Sequence, residues 1–358
     1  RDGKVQILDD RTVQGFGEYL VHPLLYQTLV RDGIKTSLSR VYFHARFSKA
    51  FSGHGTWDDS GGKNEQSKGA SQASGKKIGA WVGFTTVADE KIQVQVGISL
   101  VSVDQARKNL EAEVARSTFE MVAAAARAAW NCRLNRIQVQ GGTTDQKVIF
   151  YTALYHTLMA PGDYTEAGGL FYSAADHKGA VTTWQTRRFF TDDWCAWDTF
   201  RTSRPLATLV EPETVDDVVA SYLHIYKQGG WLPKCTWHAS GYSRVMIGNH
   251  AVSIIADAMV KGFTGFDRKI AWEAVVKSAT QDNKYGSLDG VCGYFNLGTP
   301  PDYLKLGYIP HECDLWQSAS MTLEYAYNDW CIARMAEHLG KTAEQGVYTA
   351  RAANYKNH

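Results

Sequence analysis

The sequence predicts an α+β multidomain chain: an N-terminal antiparallel β-sandwich, then a helical linker, then part of a toroid of paired helices. Three observations carry this expectation. Apolar and polar residues alternate with period two through much of the first hundred positions. From position 144 onward the apolar positions follow helical spacing instead. The connections between those helical segments are long and hold Trp, Tyr, His and Gly, as loops lining a central depression would. At 358 residues the chain is also longer than one core usually organises.

The elements follow in order. Residues 41–47, 78–86 and 92–100 are rich in β-branched and aromatic residues and read as strands. Between the first two, residues 52–77 are rich in Gly, Ser and Lys and nearly devoid of apolar side chains, so a long mobile surface loop is expected there. The sandwich is assigned to 1–102. A linker at 103–143 opens with a helix in which Asp104 and Lys108 form an i,i+4 pair. It closes with a short strand at 136–140, ending at Gly141 and Gly142. The toroid takes 144–358, with helices at 145–159, 198–210, 212–228, 249–261, 267–279 and 318–339. Asn249 reads as an N-cap, and Gly229, Gly262 and Gly340 read as stops. In the last long helix, Leu323, Tyr327, Trp330 and Arg334 share one face and are expected to pack into the core. Glu324 and Asp329 would support a site from behind.

Composition narrows the function. Lys and Arg total 38 against 37 Asp and Glu, a balance that argues against nucleic acid or an anionic membrane as partner. No run of 18 apolar residues occurs, so no membrane span is expected. The six cysteines contain no C-x-x-C pair, which argues against a zinc site. Eleven Trp and 18 Tyr suit a carbohydrate cleft, where the C–H face of a sugar packs on a ring and its hydroxyls bond at the rim. Arg1 is not an initiator Met and no leader precedes the first strands. The chain is therefore read as a segment of a longer protein, with a signal peptide removed or lying upstream and a secreted, secretory or lysosome-like location.

Three constellations carry the chemistry. Trp197-Asp198-Thr199-Phe200-Arg201 sets an acid and a guanidinium three residues apart beside an indole, a device for gripping sugar hydroxyls. The loop 229–238, with Gly229, Gly230, Pro233, Trp231 and Trp237, would form a pocket wall. The loop 307–313 holds His311, suited to a substrate hydroxyl, and Glu312, whose carboxylate suits a hard cation such as calcium.

Taken in order, the stretches 96–103, 150–161, 197–201, 229–234, 246–251, 262–267, 307–310, 322–332 and 354–357 resemble glycoside hydrolase family 92, the calcium-dependent, inverting exo-α-mannosidases. The resemblance is incomplete at both ends. It implies a β-sandwich joined by helices to an (α/α)6 barrel, and hydrolysis of terminal α-linked mannose in glycans. Trp197, Asp198 and Arg201 match the family's sugar-binding motif. His311 and Glu312 match the pair that contacts the neighbouring sugar and calcium in α-1,2-mannosidases, which makes Glu312 the implied metal ligand. Two departures stand out. Residues 240–245 contain no carboxylate where many members carry the general acid, and Tyr242 is a poor substitute. The stretch matching the catalytic base lies beyond position 357. A mannosyl-phosphodiester-cleaving branch, or an inactive glycan-binding or structural extracellular protein, therefore stands as the alternative. The stretch 286–301 is longer than the family pattern leads one to expect, and it brings Cys292 within expected reach of another loop cysteine such as Cys313.

Overall fold

The computed structural model describes residues 2–19, 39–173, 175, 179–191, 195–235, 242, 246–283, 296–311 and 317–357. Eight N-terminal strands form two antiparallel sheets. They are β1 (Gly3–Ile7), β2 (Thr12–Tyr19), β3 (Ser39–Phe47), β4 (Gly53–Asp58), β5 (Glu65–Lys68), β6 (Gln72–Ser74), β7 (Ile78–Gly83) and β8 (Val94–Ser99). One sheet runs β6-β1-β2-β3-β8 and the other β5-β4-β7. Buried Val5, Ile7 and Val13 meet Phe43, Phe47, Ile78, Ala80 and Val82 in a shared core, since alternate side chains of each sheet point inward.

The loop expected at 52–77 is instead strand-bearing: β4, β5 and β6 all fall within it. Polar composition misled because β5, Glu65–Lys68, is an edge strand with every residue exposed. Its backbone pairs with β4 from Gly55↔Lys68 to Asp58↔Glu65. An edge strand with both faces in water needs ladder bonds but no apolar residues.

Helix α1 (Val103–Glu113) lies against β8. Ser102 caps it, its side chain accepting from Gln105 N at 3.0 Å. Lys108 and Arg107 hold Asp104 down to about 2. A Cβ on Gly97 would lie 2.0 Å from the carbonyl oxygen of Ala106, so only glycine lets helix and strand approach this closely. After α2 (Phe119–Leu134), residues 136–140 form no strand. Instead the hydroxyl of Tyr151, on α3 (Thr144–Thr157), donates to Ile137 O and accepts from Val139 N, supplying locally what a ladder would have supplied.

Two small sheets precede the helical region and were not foreseen: β10 (Leu170–Ser173) with β11 (Ala180–Thr183), and β9 (Gly162–Asp163) with β12 (Phe190–Thr191). They are joined to the β domain through Glu166. Its carboxylate accepts from Ser99 Oγ at 2.6 Å, Leu100 N at 2.8 Å and Asn109 Nδ2 at 2.9 Å.

The helices that follow are α4 (Ala196–Thr199), α5 (Ser203–Val210), α6 (Pro212–Gly229), α7 (Ala251–Val260), α8 (Arg268–Thr280), α9 (Pro301–Leu306), α10 (Ser318–His338) and α11 (Thr342–Ala352). The single helix expected at 198–210 is thus two, broken at Thr202. Asn249 is not an N-cap: His250 takes that position without a side-chain bond, and Asn249 Nδ2 donates to Ser278 O and Gly298 O. The left-handed residue ending α6 is Gly230, one position beyond the expected stop. Val219, Ile255, Ala274, Val275, Ile332 and Met335 centre the largest core, between α6, α7, α8 and α10. The expected core face of α10 is reversed. Leu323, Tyr327 and Trp330 are exposed, whereas Met321, Thr322, Tyr325, Asn328, Asp329 and Ile332 are buried. The inward face mixes apolar and polar groups, so hydrophobicity alone selected the wrong side of the helix.

Gly97→Ala is expected to destabilise the protein by about 2–3 kcal/mol through overpacking against α1. Gly61→Ala, where a Cβ would meet nothing within 4 Å, should leave stability unchanged. Denaturant titration checks both, and equal midpoints for the two variants would contradict the account of Gly97.

Candidate functional site

The site is built on α4, a helix of four residues with no side-chain cap. So short a helix is not stable by propensity and must be held from outside. A disulfide between Cys195 and Cys235 does this. The two cysteines form an isolated antiparallel bridge, and Ala196 N donates to Lys234 O at 2.9 Å. Closing a loop over a sequence separation of 40 contributes about 4 kcal/mol on the chain-entropy estimate. The sequence offered no reason to choose this pair. Cys292 and Cys313, the pair singled out there, lie outside the described residues, and Cys132 and Cys331 are free.

Trp197 is half-buried against Ile247, Tyr303, Ile309, Met321 and Tyr325, with Met246 and the disulfide on another side. Its indole N–H is buried and has no hydrogen-bond partner among the described residues. The guanidinium of Arg201 lies 4.6 Å above the Trp197 ring and 4.8 Å above that of Phe200. The polar unit expected between Asp198 and Arg201 does not form. Helix α4 ends at Thr199, so helical i,i+3 geometry does not extend to Arg201. Arg201 Nη2 instead donates to Glu324 Oε1 of α10 at 2.9 Å, and Asp198 stays exposed.

Glu324 faces a second partner. His250 Nε2 lies 3.0 Å from Glu324 Oε2, an ion-pair distance at which the ring N–H is not aligned for a good hydrogen bond. The His250 ring stacks on Phe200 at 3.8 Å and 2°. Asn249 N donates to Asn328 Oδ1 at 2.7 Å, which identifies the oxygen of that amide. Asn328 Nδ2, a donor only, then faces His250 Nδ1 at 3.4 Å, so Nδ1 carries the lone pair and Nε2 the proton. Burial keeps His250 below its ordinary value despite the attraction of Glu324. Burial also opposes ionisation of Glu324, but His250 and then Arg201 outweigh it and hold the carboxyl below its usual range. Gly248, at φ +71, leaves room for this pair, since a Cβ there would sit 2.6 Å from His250 Nε2 and 3.1 Å from Glu324 Cβ.

The loop carrying His311 is anchored by Ile309 N, which donates to Thr322 Oγ1 at 2.9 Å. Ile309 and Trp197 share one cluster, which puts this loop and the indole on a common wall, and His311 is exposed. Glu312 and Trp237 lie outside the described residues. Among the described residues no three of His, Cys, Asp and Glu gather as metal ligands, so they do not by themselves make a calcium site. Tyr242 is buried, its hydroxyl accepting from Trp231 N and bonding the carbonyls of Trp231 and Ile225, which makes it a structural tie. Lys234 is also buried, donating to Met246 O at 2.9 Å, where Met246 holds a left-handed φ of 72. Sequence reasoning gave His250 and Phe200 no role. Their contact is made across about fifty positions and leaves no local signal.

A short aromatic helix, an arginine over an indole and a carboxylate supporting that arginine thus meet at one place in the helical region, in a chain that also carries a two-sheet domain. Residues 1–99 match the family model described as the Glycosyl hydrolase family 92 N-terminal domain, and residues 105–358 that of the Glycosyl hydrolase family 92 catalytic domain. The chain belongs to glycosyl hydrolase family 92. An inverting mannosidase of family GH92 from Bacteroides thetaiotaomicron superposes with a TM-score of 0.84 at 31% identity, covering 99% of this chain and 45% of that one. A GH92 alpha-mannosidase of the same organism, solved with mannoimidazole, gives 0.81 at 29% identity over 99% of this chain and 43% of that one. An uncharacterized secreted glycosidase of Arthroderma benhamiae is 30% identical over 300 residues, 78% of this chain and 32% of that protein. The chain thus spans about a third of the curated relative and under half of the solved structures. The fold it shares with them is an antiparallel-sheet domain followed by the helical region of an (α/α)6 barrel. No described helix is long and apolar enough to cross a membrane.

Two expectations follow. Replacing Cys195 and Cys235 together by Ser should cost about 2–5 kcal/mol. An unchanged melting temperature would contradict the role given to the disulfide. Folding favours the neutral imidazole of His250, which faces Glu324, Arg201 and Lys234. Its stability contribution is therefore complete above the ordinary value of 6.5 and is lost as pH falls from there toward the lowered folded value. His250→Gln should melt with a shallower pH dependence than the parent between about pH 6.5 and 5. Parallel curves would reject the assignment.

Proposed function

We propose that the protein carrying this chain removes terminal α-linked mannose from glycans by inverting hydrolysis, with α-1,2 linkages as preferred substrate. The observation that carries the reading is the Trp197–Arg201 pair at 4.6 Å beside an exposed Asp198, in a catalytic region of family 92. In this reading the Asp198 carboxylate accepts hydrogen bonds from sugar hydroxyls, Arg201 donates to them, and Trp197 supplies the apolar wall. His311 contacts the next sugar, and Trp237 is assigned to substrate binding as well. Calcium, when bound, would polarise the hydroxyls of the terminal mannose, and Glu312 is the one ligand assigned to it. The Cys195–Cys235 disulfide supports an oxidising, secretory location.

A second substrate is favoured by one feature. Residues 240–245 offer no carboxylate, and the Tyr242 hydroxyl is committed to backbone groups. A leaving group that departs as a phosphate needs no proton, so a mannosyl phosphodiester suits such a site.

The intact source protein, incubated with an α-1,2-mannobioside and with a mannose-1-phosphoryl sugar, with calcium and then with chelator, tests these readings. Release of mannose that the chelator suppresses is expected, and the faster substrate identifies the leaving group. No release from either would leave a glycan-binding or structural protein on a mannosidase frame.

A further inference from the structure

We infer that Glu324 is the positioning residue of the sugar site, setting the pose of Arg201 over Trp197; this rests on the mannoside-binding reading above. Arg201 has a long, flexible side chain that is 45% exposed, and a guanidinium so placed samples many rotamers unless something fixes it. An ion pair between two exposed groups would hold it weakly. Glu324 is only 15% exposed, and each of its two oxygens faces a partner. It rises from the second turn of α10, and its second oxygen faces His250 Nε2 at 3.0 Å. His250 in turn is clamped between the Phe200 ring and Asn328, and its side chain is 1% exposed. Packing therefore restrains His250 and, through it, Glu324 and the Arg201 guanidinium beside the indole. Asp198, three residues from Arg201, does not hold it, which leaves that carboxylate available for ligand.

This arrangement separates binding from stability. In Glu324→Gln the amide keeps the volume, His250 is already neutral, and Arg201 can be solvated. Melting should therefore change little, while Arg201 leaves the indole. Affinity of the full-length protein for mannose and for mannoimidazole, measured by calorimetry, should fall about 10- to 100-fold, as for loss of a charge-assisted hydrogen bond.

The decisive comparison is a cycle with Arg201→Gln. If Glu324 acts through Arg201, adding Glu324→Gln to Arg201→Gln weakens binding no further. Full additivity would mean that Glu324 touches the ligand itself and would overturn the proposal, as would unchanged affinity in the single variant. Should Glu324→Gln not fold, His250→Gln removes the anchor on the far oxygen. Weaker binding that vanishes in the Arg201→Gln background supports the linkage, and unchanged binding refutes it. Wild-type protein that binds neither probe would sink the functional reading instead. Crystal structures of the ligand-free wild type and Glu324→Gln then still decide the positioning role: Arg201 over Trp197 in both would overturn it.

Discussion

The helical half of the protein is organised by the requirement that the buried polar groups of one helix find partners. Helix α10 carries Thr322, Asn328 and Asp329 on its inward face, all buried. Each would cost stability if left unpaired in a low-dielectric interior. Thr322 takes the N–H of Ile309, Asn328 takes that of Asn249 and donates to Ser253, and Asp329 is gripped by Arg351 at 2.9 and 3.1 Å and by Tyr303 at 2.9 Å. The partners come from the 307–311 loop, the start of α7, α9 and α11. One helix therefore dictates where four other segments sit. The apolar core then fills the space between them.

The same helix reaches the functional surface through Glu324. This residue is one turn before Asn328, and the two meet the same imidazole, one at each ring nitrogen. The pose of Arg201 is thereby tied to core packing: a shift of α10 against α7 would move His250, then Glu324, then Arg201. The disulfide performs the complementary task for Trp197. It anchors a helix too short to persist alone, so that the indole is held through α4 while the nearby guanidinium is bonded to α10.

The contact between the β domain and the small sheets ahead of the helical region follows the same logic in another form. Glu166 receives three donors, from a side chain of β8, the backbone after it and Asn109 of α1. Gln105 and Ala167 N complete the cluster through Asn109 Oδ1. A carboxylate so enclosed is directional, fixing orientation as well as proximity, which a greasy interface of similar size would leave looser.

Local periodicity and motif order by themselves determined a two-sheet domain followed by helices, the approximate bounds of α3, α6, α8 and α10, and membership of a mannosidase family. These properties were legible because each is encoded within a few adjacent residues or in their order along the chain. The segment 197–201 stood out for the same reason, but its expected Asp198–Arg201 pairing did not form. Tertiary structure alone decided which acid meets Arg201, which cysteines join, and which side of α10 faces inward. It also decided that the polar stretch 52–77 completes a sheet. Each of these depends on groups brought together from distant positions, where desolvation selects partners by burial and geometry. Neither quantity is written in the local spacing of a sequence.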